Sequence, residues 1–320
     1  MKKDTYNKGQ NSLVPGKGED PKSYHVPVLL HEVIEYLNIH PAGTYVDCTF
    51  GGGGHSKAIL EKLGPDGKLV AFDQDADARN NLPDDPRVVF IAQNFRHLQR
   101  FLRLNGIDEV DGILADLGVS SHQFDRAERG FSTRFEASLD MRMDQRQVKT
   151  AADVLNDYSE HQLHKLFEQY GEVTNSKTLA RTIVEARKTA SFKTIEGLKN
   201  AISSVVKGNP NKYLAQVFQA LRIEVNDELV ALKDLLEQVP KVLKQDGRVA
   251  IITFHSIEDR LVKIFFRDNS FDAPEENPFA TTQKPTLLKP VNKKPVVASA
   301  EELKRNTRSR SAKLRVAQKI

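Results

Sequence analysis

Three aspartates stand where strand-like runs end: Asp47 after Thr44-Tyr-Val, Asp73 after Lys68-Leu-Val-Ala-Phe, and Asp116 after Val110-Asp-Gly-Ile-Leu-Ala. Between the first two lie four consecutive glycines, Gly51 to Gly54, followed by His55. Glycine lets a ligand approach the backbone with no Cβ in the way. A carboxylate about twenty residues beyond such a loop can accept hydrogen bonds from both hydroxyls of a ribose. NAD, FAD and S-adenosylmethionine sites all share this pattern, and charge discriminates among them. A pyrophosphate prefers amide donors with no carboxylate nearby. An ammonium and a sulfonium are instead attracted to carboxylates clustered at neighbouring strand ends. The loop also departs from G-x-G-x-x-G, because Ser56 stands at its last glycine position. Each aspartate taken alone is explained as well by a turn or helix cap; three together favour S-adenosylmethionine, which carries a ribose and both cations.

The single thiol narrows the chemistry. Cys48 lies inside an apolar strand-like run, a poor place for the nucleophile that methylation at a ring carbon needs. One cysteine also excludes an intramolecular disulfide, a Cys-based zinc site and an iron–sulfur cluster. Direct attack of a heteroatom on a methyl group remains, and it requires positioning and an acceptor for the departing proton. No metal-ligating residues are assigned, and whether a metal assists stays open.

The elements that must hold these residues alternate. A helix is expected over Val28 to Leu37, then strands at 44–48, 68–73, 87–92 and 110–116, separated by helices over 56–63, 74–82 and 95–104. Helical segments follow at 151–155, 160–170, 176–188 and 194–206 without strand-like runs. The alternation resumes with a helix over 224–243, a turn at 245–247 and a strand at 248–254. Residues 268–300 read as a polar, Pro-rich surface loop, and Ser311 to Ala317 as a final edge strand. The expectation is an α/β, Rossmann-like parallel sheet with an inserted all-α domain: a disordered leader over 1–24, a core over 25–124 and 218–320, and a helical substrate-side insertion over 125–217. With 320 residues, of which 39% are hydrophobic, the chain can bury a core of this size. No apolar run approaches the ~18 residues of a membrane span, and the leader lacks a signal-peptide stretch, so a cytosolic location is expected.

Longer strings carry a resemblance. Asp47-Cys-Thr-Phe-Gly-Gly-Gly-Gly-His55, Asp111-Gly-Ile-Leu-Ala-Asp-Leu-Gly-Val-Ser-Ser121, Glu128-Arg-Gly-Phe131, Leu139-Asp-Met-Arg-Met-Asp144, Val217-Phe-Gln-Ala-Leu-Arg-Ile-Glu-Val-Asn226, Thr253-Phe-His-Ser-Ile-Glu-Asp-Arg260 and Arg308-Ser-Arg-Ser-Ala-Lys-Leu-Arg315 occur in this order. Together they resemble the bacterial small-subunit ribosomal RNA methyltransferase H family from about His25 to the C-terminus. The resemblance implies a class I S-adenosylmethionine-dependent methyltransferase core and methylation of the N4 amine of a cytidine in the decoding region of 16S rRNA. It also implies a cofactor site built from Gly53, Gly54, His55, Asp73, Phe95, Asp116 and Gln123. Two departures touch the pattern: Gly52 stands where a charged residue is frequent, and Thr133 to Ser138 differs from the usual run before Leu139.

Asp116 is the candidate for orienting the target amine, since the string after it, Leu117-Gly-Val, lacks the prolines and aromatic of other amino-methyltransferases. Asp140, Asp144, His255 and Ser256 are further candidates near the cleft, and Arg181, Arg187 and Lys188 are candidate phosphate contacts. Residues 281–320 hold eleven Lys/Arg against two Glu, a net of +9, while the rest holds 36 against 41, a net of −5. Such a tail suits an anionic partner, here 16S rRNA in the small ribosomal subunit, with a monomer and a homodimer both open. Two alternatives stand beside this reading: an RNA-binding assembly factor with a vestigial core, and a nicotinamide-dependent oxidoreductase on the same sheet.

Overall fold

The computed structural model describes residues 27–271 and 286–320. The expected leader over 1–24, and part of the polar segment after residue 268, lie outside the described residues. Seven strands form one sheet in the order β3-β2-β1-β4-β5-β7-β6. They are β1 (Thr44–Asp47), β2 (Lys68–Phe72), β3 (Val88–Ile91), β4 (Val110–Asp116), β5 (Leu243–Thr253), β6 (Leu288–Pro290) and β7 (Lys313–Lys319). The first five are parallel and the last two antiparallel to their neighbours. This is the α/β, Rossmann-like core expected, with strand order reversing between β1 and β4, so the crevice outside their carboxyl ends is the natural ligand position.

Near-continuous apolar runs form the central strands because both faces are covered. One face packs Val46, Val70, Ile113 and Ile251 under α3 (Leu98–Leu104), α10 (Glu228–Val242) and α11 (Ser256–Asp268). The other packs Tyr45, Leu69, Leu114 and Ile252 under α1 (Leu30–Leu37) and α2 (Gly54–Leu60). Cys48 sits in the first cluster, where burial pushes its thiol pKa well up and leaves it a small apolar residue.

Between β4 and β5 come α4 (Ser121–Asp125), α5 (Ala151–Asp157), α6 (Glu160–Gln169), α7 (Ser176–Arg187), α8 (Ile195–Ile202) and α9 (Pro210–Asn226). Thr150 with Asp153 and Ser159 with Gln162 close reciprocal caps on α5 and α6, and Asn209 followed by Pro210 starts α9. From Phe131 to Val225 these residues share a third apolar cluster, including Leu155, Phe167, Ile183 and Leu221, and α9 runs unbroken through residue 217.

Four expectations need correction. The helix expected over 224–243 is two helices parted at Asp227, whose φ of 51° breaks the run without a Gly or Pro. Residues 74–82 form only a 3₁₀ turn, Ala76–Asn81, capped by the Asp75 carboxylate. The Pro-rich segment supplies a strand, β6, and so β7 is not the edge; it lies between β5 and β6. The basic tail is also partly neutralised internally, since Lys313 and Arg315 pair with Asp259, and Lys319 lies 3.8 Å from Glu109.

Asn226 fastens the insertion to the core. Its Oδ1 accepts from the Met143 amide at 2.7 Å, and its Nδ2 donates to the carbonyls of Met141 and Arg222 at 2.8 and 2.9 Å. Met141 there has a φ of 60°, so the Leu139-to-Met143 turn needs outside support. Asn226→Ala leaves the Met143 N–H and Met141 C=O without these partners, and about 3 kcal/mol of destabilisation is expected. A fall of about 5–10 °C in the thermal midpoint checks it; an unchanged midpoint would remove the anchoring role.

Candidate active site

The loop after β1 is shaped by its own hydroxyls. Asp47, 1% exposed, accepts from the Ser56 hydroxyl at 2.7 Å and from the Thr49 amide at 3.0 Å. Thr49 in turn accepts from the Asp116 amide at 2.7 Å, tying the end of β1 to the end of β4. Asp47 therefore does not face the cavity, and its carboxylate is held by the turn. Gly53 takes a φ of 75°, and its carbonyl accepts the Lys57 amide in the first turn of α2. A Cβ on Gly54 would come within 2.3 Å of the Pro27 ring. These two glycines satisfy backbone geometry before any ligand arrives.

Above the carboxyl ends of the strands lies a cavity of about 710 Å³. Gly54, His55, Asp73, Phe95, Asp116 and Gln123 line it; Gly53 does not. Asp73, just beyond β2, accepts the Gly51 amide at 2.7 Å and the Asp75 amide at 2.8 Å, one on each oxygen. Each oxygen keeps a lone pair for a hydroxyl donor. Burial, helped by the neighbouring charges of Asp75 and Asp47 and opposed by the two amides, raises its pKa to about 6. Phe95 opens a 3₁₀ turn, half-buried against the sheet cluster. Beside it Asn94 donates to Gln74 at 2.7 Å, and Gln74 donates to the Met143 sulfur at 3.2 Å. The insertion thereby contributes Met143 to the cavity wall, beside Asn226 at the end of α9.

Asp116 is the least satisfied group of the wall. Its Oδ1 is buried with no hydrogen-bond partner. Burial pushes its pKa well above the usual carboxylate range, and the charges of Asp47 and Glu258 add to this. Its Oδ2 lies 3.7 Å from His55 Nδ1, beyond hydrogen-bond length. The His55 Nε2–H donates to the Val28 carbonyl at 3.0 Å, so Nδ1 presents its lone pair, and burial lowers the imidazole pKa. A buried acceptor without a donor costs free energy until a ligand supplies one. A cation or an N–H entering here meets that need.

Gln123 lines the cavity with both ends of its amide engaged. Its Nε2 donates to Asp75 at 2.7 Å and its Oε1 accepts the Ser120 amide at 3.1 Å. Arg129, 3% exposed, adds a guanidinium 2.8 Å from the same Asp75 carboxylate. Gln123 thus braces the α4 loop against the turn after β2.

The remaining candidates are placed elsewhere. Asp140 and Asp144 pair with Arg142 and Arg146 two residues on, which pulls both carboxyl pKa values down against burial, and neither lines the cavity. Ser256 donates to Glu172 at 2.9 Å, joining α11 to the insertion. His255 lies 3.1 Å from Glu258, whose other oxygen accepts the Phe254 amide at 2.8 Å. Arg187 binds the carbonyls of Leu155 and Tyr158 that end α5, and Lys188 pairs with Glu185, whereas Arg181 stays exposed. Sequence reasoning missed Phe254, Glu258, Glu228, Gln74, Asn94 and Arg308 as cavity residues. Phe254, Glu258 and Arg308 stood within quoted strings, and only the strand register Asp116↔Ile252 brings Phe254 up beside Gly118 in the loop after Asp116.

Comparison with known proteins adds a separate finding. A model described as the MraW methylase family matches residues 22–320. Proteins named "Ribosomal RNA small subunit methyltransferase H" from Cytophaga hutchinsonii, Christiangramia forsetii and Bacteroides thetaiotaomicron are 54%, 52% and 51% identical to this chain. The matches span 92%, 93% and 94% of it, and 99%, 98% and 99% of theirs. No helix among the described residues is long and apolar enough to cross a membrane.

Proposed function

This chain belongs to the MraW methylase family, and from that premise we propose that it methylates the N4 amine of a cytidine in the decoding region of 16S rRNA, within the small ribosomal subunit. It is an S-adenosylmethionine-dependent rRNA methyltransferase. The observation that carries the reading is the buried, unpartnered Oδ1 of Asp116 in a cavity also lined by Asp73, Glu228 and Glu258. That lining suits a positively charged ligand and an amine, and it disfavours a dinucleotide pyrophosphate. Asp73 would take the ribose hydroxyls, Phe95 the adenine, and the Gly51–His55 loop the remainder of the cofactor, with Gln123 bracing the wall. When bound, S-adenosylmethionine supplies an electrophilic methyl group on sulfur.

The chain's own residues must make a poor nucleophile attack. The N4 lone pair of cytosine is shared with the ring. Burial and the charges of Asp47 and Glu258 favour the neutral form of Asp116, and positive charge entering the cavity favours the ionised form, which accepts one N–H of the amine and returns electron density to nitrogen. The proton released as the N–C bond forms passes to Asp116. The target must leave its stack to enter, which favours single-stranded or distorted RNA over a regular duplex. The helical insertion contributes Met143 to the cavity wall, and Asn226, which holds the Met143 amide, lines it as well.

The test is nucleoside mass spectrometry of 16S rRNA from cells with and without the gene. Loss of a methyl group from cytidine N4 on deletion is expected, with restoration by the intact gene. Identical rRNA modification in the two strains would overturn the assignment.

A further inference from the structure

Guanidinium groups gather at the cavity mouth that the chemistry above does not use. Arg308, on the turn Thr307–Ser311 before β7, reaches Asp125, 183 residues away in sequence, with Nη2 at 2.9 and 2.8 Å from the two carboxylate oxygens. Arg134 brings its own Nη2 to 3.5 Å from the same carboxylate. Both guanidiniums lie against one ring, 5.6 and 5.2 Å from the centroid of Phe124. Arg126 is the neighbouring third cation, and it lines the cavity with Arg308. The arginine side chains are 34%, 60% and 50% exposed for Arg308, Arg134 and Arg126, so an incoming anion can reach them.

Guanidinium binds carboxylate and phosphate through the same paired N–H groups. The aromatic face limits side-chain freedom, so less is lost on binding. A nucleotide whose base enters the cavity is still joined to its chain, and its two flanking phosphates must remain at the rim. Resting on the reading that the substrate is an unstacked nucleotide in RNA, we infer that Arg308 and Arg134, with Arg126 beside them, clamp the phosphates flanking the target. Asp125 occupies the phosphate position until RNA displaces it.

A purely structural latch makes the opposite prediction for the two sides of the pair, and this gives the test. Binding of a short fluorescein-labelled oligoribonucleotide centred on a cytidine is followed by anisotropy for the wild type, R308A and D125N over a range of salt concentrations, with S-adenosylmethionine calorimetry as the check on folding. R308A is expected to weaken RNA binding about tenfold and to lower the slope of log affinity against log salt by about 0.7, the value of one single-strand phosphate contact. D125N, which removes the competitor, is expected to bind RNA as tightly as the wild type or more tightly. Equal weakening in both variants, or an R308A protein with unchanged RNA affinity and salt slope, overturns the clamp. The nucleoside mass spectrometry of 16S rRNA reports separately on the function, so loss of one reading is distinguishable from loss of the other.

Discussion

Asp116→Ala is expected to lower the methylation rate about 10²–10⁴-fold, the range of a positioned acid–base group, while S-adenosylmethionine binding changes far less. The argument rests on what surrounds the carboxyl. Its Oδ1 is buried without a donor, and burial together with the charges of Asp47 and Glu258 raises its pKa well above the usual carboxylate range. Removing it relieves an unfavourable desolvation, so the variant is expected to fold at least as stably as the wild type. Asp116→Asn keeps the shape and an acceptor oxygen but cannot take a proton, and it separates orientation from proton transfer: a rate near the wild type assigns orientation alone. Single-turnover methylation with saturating cofactor, beside calorimetric affinities, reads these terms apart. Normal turnover by Asp116→Ala at unchanged cofactor affinity would remove Asp116 from the mechanism.

The same cavity shows why part of the site was legible in the sequence. Asp73 and Asp116 stand immediately after apolar runs whose period identifies strands, and the carboxyl ends of parallel strands are where α/β folds bind ligands. Asp47 has an identical sequence setting yet points away, because Thr49 and Ser56 take its oxygens. Hydroxyls two and nine residues on were the available signal for a local turn. Gly53, expected at the cofactor, takes a φ of 75° that answers to the start of α2.

Long-range pairings left no local trace. Arg308 with Asp125 and Asn226 with Met143 join distant segments, and no periodicity announces them. Asp140 and Asp144 stand as free carboxylates in the quoted string, but Arg142 within it and Arg146 just beyond it pair with them. Helix termini at capped positions such as Thr150 and Ser159 followed local chemistry. The break at Asp227 did not, since it is imposed by the joint packing of α9 against the insertion and α10 against the sheet.

Cofactor affinity is expected to fall as pH drops through about 6, and Asp73 is the group responsible. Burial raises its pKa to about 6 in the free protein, so near that pH a large fraction is protonated. Ribose hydroxyls donate to the ionised form and favour it, and binding therefore lowers the pKa and releases protons. One unit below the folded value the ionised fraction is about one tenth, so affinity at pH 5 is expected to be about tenfold weaker than at pH 8. The effect on folding has the opposite sign. A raised folded-state pKa makes this group's contribution to stability full below the unfolded value near 3.8, and it is lost as pH rises through about 6. Asp73→Asn abolishes both dependences at this position. It also removes two charge-assisted hydrogen bonds to the ribose, a loss of about 10²-fold in affinity at pH 8. Calorimetry with S-adenosylmethionine at pH 5 and 8, in buffers of differing ionisation enthalpy, counts the protons released. Affinity independent of pH between these values in the wild type, or an Asp73→Asn protein that binds the cofactor normally, would place the ribose elsewhere in the cavity.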